Sequence, residues 1–384
     1  MNIKSLLLGS AAALVAVSGA RAADAIVAAE PEPVEYVRVC DAFGTGYFYI
    51  PGTETCLRIG GYVQYDIGVG DAFAVTSNTG DETYWKRARV SFQIRTASET
   101  ELGTLRTYVE TRWNFDTTGA SDRITLRGSE FGIDNGYENG SSFSVNFAWI
   151  QLGGLRVGKD ESVFSTFTGY AGNVINDGSY GPFDTNLISY TYNGGSWRAT
   201  IALEQGDDSL MNTNRLDIVD GARPDRTRGW GIDDYVPHVV VGLGGSFGMV
   251  DLSAVVGWDS RDGAAVGGFA GKIRADVKIN DAASVFAMLM YGENSSAYTT
   301  WSTGAATDNT FSVIAGGSYR FNEKATFNFQ GQWIDGNAGN DAWSLVANVA
   351  YDVVPGLTAT PELVYEDKGA TDMWGARFRV RRSF

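Results

Sequence analysis

From Leu57 to the final residue the chain alternates with a period of two, and this constrains the fold more than any other feature. Near the C-terminus Trp374, Ala376, Phe378 and Val380 share one face, with Phe384 ending the row, while Arg377, Arg379, Arg381 and Ser383 share the other. Ala88, Val90, Phe92 and Ile94 stand opposite Arg87, Arg89, Ser91, Gln93 and Arg95 in the same way. Between Leu105 and Phe115, Val109 and Trp113 oppose Arg106, Tyr108, Glu110, Arg112 and Asn114. Phe143, Val145, Phe147 and Trp149 form a further outward row against Ser144, Asn146 and Ala148. Successive side chains of a strand point to opposite faces, so each segment reads as a strand with one apolar and one polar face.

Soluble sheets alternate too, so the connections must decide. Short turns fall near 97–103, 152–154, 193–195, 244–248, 280–282, 321–324 and 352–356, with turn residues such as Asn193-Gly194-Gly195 and Pro355-Gly356. Mostly longer polar connections fall between them, near 69–84, 117–141, 161–185, 205–235, 258–268, 293–309, 335–341 and 367–372. Together these join sixteen strands at about 20 residues per strand and connection, the rhythm of a membrane barrel with short turns at one end and long loops at the other. A sandwich has no reason to sort its loops by length. The expected fold is all-β: a transmembrane 16-stranded antiparallel up-and-down β-barrel over 57–384. Eight strands would fill with side chains, whereas sixteen leave a wet lumen, so the polar face is expected inside.

Residues 1–22 have the three parts of a secretory signal: Lys4, an apolar stretch from Leu6 to Val17, and Ala20-Arg21-Ala22. The apolar run is about 12 residues, and a spanning helix needs roughly 20. No later stretch is long enough either. An exported chain that enters lipid must then close its backbone hydrogen bonds as a barrel. Residues 23–56 read as a periplasmic segment before the first strand, with Glu30-Pro31-Glu32-Pro33 extended. Cys40 and Cys56 suit an oxidising compartment, and a bridge between them would contribute roughly 3 kcal/mol in the chain-entropy model. The alternative is two free buried thiols.

Composition removes other classes. There are 45 acidic and 30 basic residues, for a net charge of −15, which disfavours nucleic acid as a partner. A single histidine and two cysteines leave no multi-His or Cys₄ metal site. His238 follows Pro237 at a strand start, with no motif placing a nucleophile beside it, and reads as an interfacial or strand-end residue. Gly242-Leu243-Gly244-Gly245-Ser246 lies at a hairpin and opens no helix, so it does not read as a nucleotide loop. No catalytic residue, metal or cofactor is expected.

The stretch Met1-Asn2-Ile3-Lys4-Ser5-Leu6-Leu7-Leu8-Gly9-Ser10 resembles the alphaproteobacterial outer-membrane porins of the Brucella and rhizobial type. So do Glu35-Tyr36-Val37-Arg38-Val39-Cys40, the run from Tyr47 to Arg58, and Ser98-Glu99-Thr100-Glu101-Leu102-Gly103-Thr104-Leu105. The ending Arg382-Ser383-Phe384 resembles the terminal-Phe signal read by the barrel-assembly machinery. The resemblance implies a homotrimeric diffusion porin in the outer membrane, among lipid and lipopolysaccharide, with its third loop folded into the lumen. It also suggests Ala23 as a covalent attachment point to peptidoglycan, which opens a second reading: a barrel acting mainly as a structural tether. An outer-membrane enzyme barrel is a third reading, and it would have to depend on His238.

The inward basic residues are grouped. Arg58 lies on the first strand, Arg87, Arg89 and Arg95 on the second, Arg106 and Arg112 on the third, and Arg377, Arg379 and Arg381 on the last, which pairs with the first in a closed barrel. They are expected to form one basic arc. The third loop carries Glu161, Asp177 and Asp184 after Asp160, with no Lys or Arg, and is expected to face that arc and set a transverse field. The competing reading makes these arginines solvated rim residues with local partners such as Glu110 or Asp66. Lys272, Arg274 and Lys278 form another inward basic row elsewhere.

Overall fold

The computed structural model describes residues 38–384, except 77–81, 120–121, 127–128, 134–136, 207–230, 233, 264–265, 303–304, 337–340 and 370. Ala23, residues 1–22 and most of the connection 205–235 therefore lie outside the described residues. Cys40–Phe384 form one compact unit.

The main sheet of Cys40–Phe384 is wholly antiparallel. Two short strands, Phe48–Tyr49 and Ala74–Thr76, are appended to it. The sixteen others close on themselves. We number these β1 (Cys56–Val69), β2 (Glu82–Thr100), β3 (Gly103–Gly119), β4 (Tyr137–Leu152), β5 (Leu155–Glu161), β6 (Asp184–Asn193), β7 (Trp197–Gln205) and β8 (His238–Phe247). They continue as β9 (Val250–Gly263), β10 (Val266–Lys278), β11 (Ala283–Glu293), β12 (Asn309–Arg320), β13 (Ala325–Ile334), β14 (Ala342–Val354), β15 (Leu357–Asp367) and β16 (Asp372–Ser383). Each pairs with its sequence neighbour, and β16 pairs with β1 from Tyr62↔Ser383 to Val69↔Ala376. The terminal residue completes the seam: Phe384 and Gly61 exchange both backbone hydrogen bonds at 3.1 Å. Each of the sixteen strands is paired on both sides over at least part of its length, so the sheet closes; residues 137–147 of β4 are paired on the β3 side and extend past the shorter β5.

The outer face is apolar. Trp374 is 56% exposed, Phe115 51% and Ile273 58%, in a belt that water would not tolerate but hydrocarbon does. Phe92, Val109 and Phe378 are exposed with them, as the alternation requires. At the short-turn rim Arg382 donates to the Pro355 carbonyl at 2.5 Å, so its outward charge ends on a turn and not in the belt.

Three features depart from the simple reading. The connection expected at 258–268 is far tighter, because β9 runs to Gly263 and β10 resumes at Val266, with a register shift after Asp259. The alternation also breaks inside β4. Glu110 pairs with Phe147 but Thr111 pairs with Val145, so one extra residue is bulged out. The bulge keeps Phe143 and Val145 outside and turns Phe147 and Trp149 into the barrel. Lys159 Nζ donates to the Asn146 carbonyl at 2.8 Å, satisfying a group that the disrupted ladder leaves over.

The third departure is that the interior is only partly wet. Val240, Ala270, Met288, Met290 and Ile314 point inward and are buried beneath Phe164, Tyr180, Tyr298 and Trp301. Those four rings come from two connections, 162–183 and 294–308, that fold inward. Burying each large apolar side chain stabilises by roughly 1.5–3 kcal/mol. This dry cluster fastens both connections to the wall of β8–β12. Cys40 and Cys56 are bonded, with Cα atoms 6.0 Å apart, and no cysteine is free.

Candidate functional site

The third loop, residues 162–183, joins β5 to β6 and lies within the barrel. Its root is a one-turn helix, Val163–Thr166, whose Ser162 cap accepts from Phe164 N–H. Glu204 on β7 holds that root: Ser162 Oγ and Val163 N–H both donate to its carboxylate at 2.7 Å. Tyr298 OH donates to the same carboxylate at 3.1 Å, which ties in the second inward connection. Burial, and then the Glu204 charge, push the Tyr298 phenol well above its ordinary range, so it stays a donor. Phe167 sits directly over Gly242 on β8, where an added Cβ would come within 2.6 Å of the ring.

The tip of the loop is held at the far wall. Gln332 on β13 accepts from Ser179 N–H at 2.9 Å and donates to Ser179 O at 2.7 Å. Glu362 on β15 accepts from the backbone N–H groups of Ile175 and Asn176. Lys272 and Arg274 on β10 are buried and donate to loop carbonyls, Tyr180 O for Lys272 and Tyr170 O and Ala171 O for Arg274, whose other two donors pair with Asp276 at 2.7 Å. They are clamps beneath the loop, not a second charged lining. Lys278, at the strand end, is exposed and pairs with Asp281.

The basic arc is present but not uniform. At the long-loop end the arginines are paired: Arg87 with Asp116 at 2.7 Å, Arg112 with Glu110 at 2.6 Å, and Arg379 with Asp66 at 2.6 Å. Arg377 is covered by Phe73, which descends from the first long connection to sit 4.5 Å from its guanidinium. Arg89 and Arg381 are different. Arg89 donates to Asn114 at 2.6 Å and Arg381 to Gln64 at 2.8 Å. Neither has a carboxylate at ion-pair distance among the described residues. Both gather at Tyr62: Arg381 lies 4.4 Å over its ring, and Arg89 and Arg112 are charge neighbours of it. Arg58, Arg95 and Arg106 continue the arc toward the short turns. Arg58 stands directly opposite Arg95 across the β1–β2 ladder.

The four acidic positions separate. Asp160 is on β5 and is bound by Arg156 at 2.6 Å. Asp184 opens β6 and is bound by Lys159 at 2.5 Å. Asp177 lies within the loop and accepts from Tyr180 OH at 2.7 Å. Burial and that carboxylate raise the Tyr180 phenol. Glu161, the last residue of β5, accepts from Tyr170 OH and has Arg112 among its charge neighbours. Tyr170 is 49% exposed. The opposition therefore reduces to Arg89, Arg112 and Arg381 around Tyr62 on one side and Glu161 with Tyr170 on the other. His238 is fully buried beside Asp259 and Tyr298, a strand-start residue of the inner packing and not an interfacial one.

Sequence reasoning missed Glu204, Glu362 and Gln332, which hold the loop. Each is a polar residue on an inward face and looks like any lumen residue until the loop is in place. Phe73, which hides Arg377, was also missed, because it belongs to a connection.

Comparison with known proteins agrees with this architecture. The Porin subfamily model matches residues 24–380. The porin Omp2b of Brucella suis biovar 1 (strain 1330) is 46% identical, with each chain covered in full. That of Brucella neotomae is also 46% identical over the whole of both chains. Among solved structures, the outer membrane channel DcaP of Acinetobacter baumannii superposes with a TM-score of 0.59 at 15% identity, covering 88% of this chain and 99% of that one. A triple mutant of the Rhodopseudomonas blastica porin gives 0.52 at 18%, covering 85% and 100%.

Proposed function

Because this chain belongs to the porin family and is an outer-membrane channel for passive diffusion, we infer that its filter is the gap between the Tyr62 arginines and the pair formed by Glu161, at the end of β5, and Tyr170 of the third loop. The observation that carries this reading is the uncompensated state of Arg89 and Arg381. Their partners, Asn114 and Gln64, are neutral amides that fix geometry without cancelling charge. The Glu161 carboxylate, at the root of a loop backed by a dry core, has Arg112 of the same cluster as a charge neighbour, and low-dielectric walls focus the resulting field. A small polar solute aligns its dipole to cross such a gap. An apolar one must displace oriented water and gains nothing in return. Selection by size and polarity follows without a reaction or a cofactor.

Planar-bilayer recording tests the assignment. Arg89→Gln with Arg381→Gln should move the reversal potential in a KCl gradient toward cations while stepwise conductance persists. An unchanged reversal potential would remove these residues from the filter. The same reading carries a homotrimer, as the family resemblance implies. Native mass spectrometry of the detergent-extracted protein tests that part separately.

A further inference from the structure

The β4 bulge brings Phe147 and Trp149 into the lumen beside Tyr108 of β3, on the short-turn side of the filter. Tyr108 lies 5.2 Å from Phe147 and 5.6 Å from Trp149, ring centre to ring centre. Tyr108 sits between the other two, and guanidiniums flank the group: Arg95 is 4.6 Å over Tyr108 and Arg156 is 4.2 Å over Trp149. None of the three rings belongs to the core beneath the third loop. Nor can they serve as a lipid-interface girdle, because they face inward. All three are half-buried, so part of each ring meets the lumen.

The charges beside the rings are costly for the fold alone. Arg58 and Arg95 are direct cross-strand partners, and like charges so placed repel. Arg95 donates to Gln93 at 2.9 Å, and Arg106 stands opposite Gln151. Among the described residues no carboxylate forms an ion pair with Arg58, Arg95 or Arg106. The acids nearby are engaged elsewhere: Glu110 with Arg112 and Tyr108 OH, Glu99 with Thr104, Asp160 with Arg156.

We propose that Tyr108, Phe147 and Trp149, with Arg95 and Arg156, form a solute subsite on the periplasmic side of the filter for small anions that carry a flat apolar ring. The uncompensated Arg95 supplies N–H donors to a carboxylate, and the exposed ring faces take the flat part. Such a site holds a solute briefly after it passes the filter and favours aromatic acids over aliphatic ones of equal charge. This rests on the channel reading above and names a solute class for it.

Benzoate, acetate and benzyl alcohol, each titrated into KCl on both sides of a bilayer holding the purified full chain, test it. Benzoate should interrupt the open-channel current in a saturable way, and the other two should not at equal concentration. Trp149→Leu and Arg95→Gln should each raise the half-blocking benzoate concentration about tenfold. Open conductance in KCl alone shows that a variant has assembled, and Phe147→Leu replaces Trp149→Leu if that variant has not. Equal block by benzoate and acetate overturns the proposal. So does unchanged benzoate block in the assembled ring variant. Absence of any stepwise current in the parent protein would instead strike the channel reading.

Discussion

Arg379 on the last strand reaches Asp66 on the first, Nε to Oδ1 at 2.6 Å, so an ion pair spans the seam where the chain closes on itself. Asp66 is fully buried and also accepts from Gln64 Nε2 at 2.5 Å, and Gln64 in turn accepts from Arg381. One carboxylate thus organises two arginines of the arc, cancelling one and positioning the other through an amide.

Asp66→Asn should release Arg379 from its partner and loosen Gln64. We expect stronger anion preference in a KCl-gradient reversal potential and a lower unfolding temperature in detergent. The stability loss should be about 2 kcal/mol, short of the value for a fully buried pair because Arg379 keeps some solvent.

Phe73→Ala should uncover Arg377. The ring now screens that guanidinium from the lumen, so its removal adds a wetted positive charge without changing the formal charge of the chain. Reversal potential should shift toward anions and single-channel conductance should rise. A shift toward cations would show that Arg377 does not become part of the lining.

Glu362→Ala should free the tip of the third loop, because the N–H groups of Ile175 and Asn176 lose their acceptor. Each unsatisfied donor costs roughly 1–3 kcal/mol, enough to let water compete for the loop. Liposome swelling should then admit larger sugars, and open-channel noise should grow. Gly242→Val should act at the other end by displacing Phe167 from its seat.

Cys40→Ser with Cys56→Ser should lower thermal stability by about 3 kcal/mol in the chain-entropy model. Conductance should be unchanged, because the 16-residue separation confines the bond to the segment before and at the start of β1. Melting with and without reductant measures the first expectation and bilayer recording the second.

The barrel was legible because lipid outside and water inside impose opposite polarity on neighbouring residues, and a rule of that strength survives in single strands such as β16. The β4 bulge was not, since neither Gly nor Pro marks Asn146 and a shift of one residue leaves the composition untouched. The dry half of the interior did leave a trace. Val285 to Tyr291 is apolar on both faces, the pattern of a strand covered on both sides. What covers it cannot be read locally, because Phe164 and Tyr180 lie more than a hundred residues upstream. The acids of the third loop looked equivalent in sequence, and only their partners separate Glu161 from Asp160, Asp177 and Asp184.

The packing beneath the third loop means that calibre and selectivity are adjustable separately. Met288, Ile314 and Val240 are buried beneath the rings of the third loop, so their bulk bears on where the loop stands. Exchanging one buried methyl group for another could widen or narrow the passage while every charge that a solute encounters stays in place.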